Sequence, residues 1–165
     1  MSKASNMAKG GLFTALTILF LYISSIVPIN RFYLLGLASC IIPLTIISTN
    51  VKNAILVYIS SGLLSLLFGF RGSALAYIIF FGSYGFIKYY VEKLRKVPLE
   101  FILKLSFFNI CLCSIYFLYK LFSFGLPKIN IPIYSVVIVA QLVFVIYDYA
   151  LTMFISYANK KLNLK

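Results

Sequence analysis

The stretch FVIYDYALTMF, residues 144–154, sets Asp148 among apolar and aromatic neighbours, and Asp148 is one of only three acidic residues in the chain. A carboxylate there means one thing in a water-soluble core and another in a bilayer, so the solvent has to be read first. Of 165 residues, 62% are hydrophobic and 11% charged, and the mean hydropathy is +1.02. Soluble domains lie nearer half apolar and a quarter charged. So short a chain cannot hide this much apolar surface from water by packing on itself. The composition predicts an all-α polytopic membrane protein. The length suits a bundle of six transmembrane helices, each of about 20 residues, joined by short turns. Residues 1–165 then form a single domain.

Breakers between the apolar runs place the helices at residues 9–27, 32–48, 51–70, 73–93, 99–124 and 133–160. Pro28 stops the first. Pro43 lies inside the second, where it frees a carbonyl and predicts a kink. Lys3 and Lys9 before the first apolar run resemble the start of a signal peptide. That run is long for one, and no small-x-small pattern follows it, so it is read as an uncleaved helix. The connections leave no room for a soluble domain.

Lysine and arginine placement orients the bundle. One side collects Lys3, Lys9, Lys52, Lys88, Lys93, Arg95, Lys96, Lys104, Lys160, Lys161 and Lys165; the other has Arg31, Arg71, Lys120 and Lys128. The bias puts both termini in the cytoplasm, which agrees with an even number of crossings. The net charge of +12 follows from this placement. Nucleic acid is not an expected partner, because no soluble basic face with interleaved aromatics is present. Anionic lipid headgroups are.

Several chemistries find no residues. Histidine is absent, which removes the usual zinc and haem ligands and His-based catalysis. Cys111 and Cys113 diverge by roughly 200° on a helix and, like Cys40, read as small buried apolar residues. No Gly-Lys-Ser/Thr phosphate loop is present. Without a nucleophile–base pair an enzyme ranks last, and no cofactor is expected.

The intramembrane polar residues fall into lines. Tyr134, Gln141, Asp148 and Thr152 lie within about 40° of one another on the last helix, and Asn159 continues the line. Ser106, Asn109, Cys113, Tyr116 and Lys120 form a second line, and Ser73, Tyr77, Tyr84 and Lys88 a third. An aspartate at a helix centre costs roughly 2.5–3.5 kcal/mol on insertion scales, so these lines should face the bundle interior. Two readings stand: interhelical glue, or a small polar ligand site. Asp148 is open to protonation, or to pairing with Lys104 or Lys88. Proton-coupled transport by Asp148 is a further, weaker alternative. Tyr147, beside Asp148, points about 100° away. Gly11 and Ala15, four apart, would let another helix approach closely.

The order of features resembles a known family. GLFTALT at 11–17 opens a helix ending at Pro28, CIIP at 40–43 lies within the next, and SSGLLSLLFG at 60–69 precedes three more. This is similar to the substrate-binding S components of energy-coupling-factor (ECF) importers over residues 11–86. The resemblance implies a bacterial inner-membrane, multi-pass subunit that takes a small polar solute or vitamin from outside. It would act with a transmembrane coupling subunit and an ATPase pair in other chains. Gly11 and Ala15 would dock on the coupling subunit. Asp148, Gln141, Asn109, Tyr116, Tyr77, Tyr84 and Thr152 lie on the helices that would hold ligand. The loop at 28–31 is short for a lid, and there is no tryptophan to stack on a heterocycle. The alternative is a non-catalytic membrane assembly or interaction protein, similar in shape to the rod-shape-determining (MreD-like) family. Ser61, Ser65 and Gly69 stand where that family has an intramembrane acid.

Overall fold

The computed structural model describes residues 3–27, 29–94, 96–121 and 133–163, without the side chains of 116, 118–121, 133, 134, 162 and 163. Within these residues the chain is helical throughout, with no strand. The elements are α1 (Lys3–Ile26), α2 (Arg31–Ser48), α3 (Val51–Leu67), α4 (Arg71–Glu92), α5 (Val97–Leu121) and α6 (Ile133–Asn163). A π-type turn, Tyr77–Phe81, interrupts α4. Five of these helices are long and apolar enough to cross a membrane; α3 is apolar but only 17 residues long. The architecture is that of a helical membrane bundle.

Local chemistry sets the ends. Asn50 opens α3, its Oδ1 accepting from the Asn53 backbone N–H at 2.8 Å, a standard N-cap bond. The expected end of this helix at residue 70 moves back to Leu67. Gly69 takes a left-handed φ of +80°, which costs glycine no Cβ clash. Gly69 N–H then reaches Leu66 O, and Phe70 N–H reaches Ser65 O, each at 3.0 Å. These are the two bonds of a Schellman stop. At the other end of the chain α1 begins at Lys3, earlier than the expected residue 9.

The bundle is built around α2, on which α1, α3, α4 and α6 all pack, while α5 leans on α4. Small residues set how closely α4 approaches. A Cβ on Gly85 would lie 3.0 Å from Pro43 Cδ, and one on Gly82 would lie 2.7 Å from the Tyr58 ring. Pro43 and Gly85 thus meet at the α2–α4 contact. The core is aromatic: Phe80, Phe81, Tyr77 and Tyr84 of α4 meet Phe108 of α5 and Phe144 of α6. Phe108 and Phe144 stack with centroids 4.4 Å apart.

Helix α6 buries the apolar side chains Phe144, Leu151 and Ala158, seven residues apart, and exposes Val139, Leu142, Val143, Ile146 and Met153. Residues seven apart share one helix face, so a narrow seam faces the bundle. In water the remaining face would be an association hazard; against acyl chains it is ordinary surface. The hydroxyls follow the same solvent logic. Thr14, Thr17, Ser24, Ser39, Thr45, Ser65 and Ser83 each donate to a carbonyl three or four residues earlier. They satisfy themselves within their own helix.

Candidate functional site

The structure answers the question that Asp148 poses. Its carboxylate lies at the meeting of α4, α5 and α6, bonded to two lysines. Lys88 Nζ of α4 ion-pairs with Asp148 Oδ1 and also donates to Asp148 O at 3.2 Å and Thr152 Oγ1 at 2.7 Å. Lys104 Nζ of α5 reaches Asp148 Oδ2 at 3.1 Å. Tyr84 Oη donates to Oδ1 at 2.6 Å, and Thr152 Oγ1 donates to Asp148 O at 2.8 Å. Glu92 completes the cluster, its Oε1 lying 2.9 Å from Lys88 Nζ and 3.0 Å from Lys104 Nζ.

Two ammoniums therefore meet two carboxylates, and the cluster is electrically balanced. It uses two of the chain's three acidic residues. Lys88 is fully buried and Lys104 nearly so, whereas the Glu92 side chain is about a third exposed at 32%. Buried charges persist only when paired and hydrogen-bonded; here each ammonium has at least two oxygen partners. Lys88 lies one turn before the end of α4, and Lys104 two turns after the start of α5. The cluster thus sits roughly 6–10 Å inside that end of the bundle, at 1.5 Å per residue.

The expected site residues separate into groups. Asp148, Tyr84 and Thr152 come together. Gln141 and Asn109 form a second pair, Gln141 Nε2 donating to Asn109 Oδ1 at 3.5 Å. Gln141 is seven residues from Asp148, about 10 Å along α6, with the Phe108–Phe144 stack between the two levels. Asn109 also donates to its own Leu105 O at 2.9 Å. Tyr77 is fully buried on the α3 side of α4, where its Oη accepts from Ser61 Oγ at 3.1 Å; it does not join Asp148. Tyr147 Oη donates to Ser39 Oγ on α2 at 2.6 Å. The side chains of Tyr116, Lys120 and Tyr134 lie outside the described residues. Gly11 and Ala15 are exposed on α1, with open space before Gly11.

The α4 line is buried along its length, at Ser73, Tyr77, Tyr84 and Lys88. The α5 line is corrected: Ser106 and Cys113 are exposed, and the buried face carries Lys104, Phe108 and Cys111. The reason is energetic. A lysine that has carboxylates within reach gains more by facing inward than a serine or cysteine, which can bond its own helix. Lys88 and Lys104, which the sequence offers both to the positive side and as partners of Asp148, are internal ion-pair partners, so the positive bias rests on the other nine residues of that side. Glu92 escaped the sequence reading. Two signals point to it: the Lys88–Glu92 spacing of four, and the scarcity of acids, which obliges buried lysines to share them. Among the described residues no three Cys, Asp or Glu side chains converge as metal ligands.

Compared with protein families, with characterised proteins and with solved structures, the chain finds no match in any of the three. The functional reading therefore stands on its residues.

Proposed function

We propose that this chain is a non-catalytic membrane subunit that captures a small polar solute for a larger assembly, in the manner of an ECF-like importer's substrate-binding subunit. The observation that carries the reading is the Asn109–Gln141 pair. Its 3.5 Å contact is at the limit of hydrogen-bond range. Amides with capacity to spare, half-buried beside stacked aromatics, are what a polar ligand with a flat apolar part would engage. The ion cluster beneath is the floor of this site. It ties α4, α5 and α6 together without offering net charge. In this proposal six helices cross a bacterial inner membrane with both termini cytoplasmic. Gly11 and Ala15 face outward for the coupling partner, which would supply the ATPase activity.

A second reading, a membrane assembly protein, is favoured by one observation: both oxygens of Asp148 are already engaged. In that case the polar groups are interhelical glue and no ligand enters. A metabolite panel separates the two. Capture predicts that at least one polar solute raises the thermal stability of the purified chain, and that Asn109→Ala with Gln141→Ala removes the effect. Co-purification of an ATPase pair from native membrane supports capture as well. A flat response across a broad panel, with no ATPase partner, rejects it and leaves assembly.

A further inference from the structure

Two adjoining concavities run along the α1–α3 face, sharing Met7, Asn53 and Leu56. The larger, about 470 Å³, is apolar and follows α1 from Met7 to Ile18 over Gly11 and Ala15. The smaller, about 370 Å³, is its mouth at the end of the bundle that holds the N-terminus of α1, and it carries Lys3, Lys52, Asn6 and Asn50.

Length decides what fits. Met7 to Ile18 is a rise of eleven residue steps, or about 16 Å at 1.5 Å per step. The hydrocarbon core is about 30 Å thick, so the groove matches one leaflet. A partner helix crossing the bilayer would need twice that run; an acyl chain needs this one. The mouth adds charge. Lys3 and Lys52 are both exposed there, and the N-terminus of α3, with its partial positive charge, opens beside them at Asn50. Asn53 Nδ2 donates to Asn6 O at 2.8 Å, tying α1 to α3 beneath the mouth.

We propose that this face seats one anionic phospholipid. An acyl chain lies along Gly11 and Ala15, and the phosphate sits between Lys3 and Lys52. This goes beyond the solute-capture reading and does not rest on it. The lipid covers the small-residue face of α1 when no partner does.

The chain has no tryptophan, so Leu56→Trp gives a single reporter in the groove, and Leu142→Trp on the exposed face of α6 gives the control. The full chain is reconstituted in phosphatidylcholine vesicles containing increasing fractions of a lipid with brominated acyl chains, which quench tryptophan on contact. At Leu56→Trp, brominated phosphatidylglycerol should quench at a roughly tenfold lower mole fraction than brominated phosphatidylcholine, given the attraction of two lysines. Phosphatidylmethanol, equal in charge, should quench like phosphatidylglycerol. Lys3→Gln with Lys52→Gln should abolish the preference. Both lysines are exposed, so their replacement leaves the packing intact. The proposal is overturned if Leu56→Trp shows no more preference than Leu142→Trp, if the preference survives loss of the lysines, or if phosphatidylmethanol quenches no better than phosphatidylcholine. It is also overturned if quenching by every lipid falls as the protein-to-lipid ratio rises, which would assign the groove to a second copy of this chain.

Discussion

Replacing Asp148 with asparagine tests the charge cluster most directly. The side chain keeps its shape and loses its charge. Two ammoniums are then left with one carboxylate, because Glu92 Oε1 is already shared between Lys88 at 2.9 Å and Lys104 at 3.0 Å. Lys88 has no exposed surface through which to recover hydration. Removing one partner of a buried pair costs 3–5 kcal/mol. Asp148 is 22% exposed, which argues for the lower end, about 3 kcal/mol. At about 2–4 °C per kcal/mol for a chain of this size, the melting temperature should fall by roughly 6–12 °C. Lys88→Met, which strands the opposite charge, should fall by a similar amount. Asp148→Leu combined with Lys88→Met leaves the Lys104–Glu92 pair balanced, so most of the loss should return, as when buried ion pairs give way to apolar residues. The assay is thermal unfolding in mild detergent, followed by a thiol-reactive dye that gains access to buried Cys111 and half-buried Cys40. The reasoning fails if both single variants shift by less than about 2 °C, or if the double variant melts as low as Asp148→Asn.

Two more outcomes are expected. Gly82→Ala should destabilise by about 1–3 kcal/mol, since its Cβ would meet Tyr58 at 2.7 Å and Tyr77 at 2.9 Å, and Tyr58 is held by its bond to Ile78 O at 2.7 Å; Gly11→Ala, with nothing within 4 Å, should stay within about 0.5 kcal/mol in the same melting assay. In a background with Cys40, Cys111 and Cys113 replaced by alanine, an impermeant maleimide should label Lys3→Cys and Lys160→Cys from one side of the membrane and Arg71→Cys from the other; labelling of the two ends from opposite sides would overturn the six-crossing topology.

The sequence by itself determined the solvent, the helices and the inward line of α4. Each of these is a local property. Apolar content per residue selects a bilayer, prolines and turn residues cut the runs, and a spacing of three and four puts Ser73, Tyr77, Tyr84 and Lys88 on one face. It also showed that Asp148 needs company, because a lone carboxylate among acyl chains is too costly. What only the tertiary structure decided is that both candidate lysines, Lys88 and Lys104, pair with it at once and that Glu92 joins them. Lys88 and Lys104 stand near helix ends, where a long side chain can reach outward to the interface or inward to a partner. The choice depends on how far away the carboxylates of other helices lie, and sequence spacing does not encode that distance. The same dependence turned α5, bringing Lys104 and Phe108 inward and leaving Ser106 and Cys113 outside. It also separated Asn109 and Gln141 from Asp148 by a layer of stacked rings. Pairing energy falls with separation and is set by the packed bundle, so which candidate partners engage, and the part of Glu92, became legible only once the helices were in place.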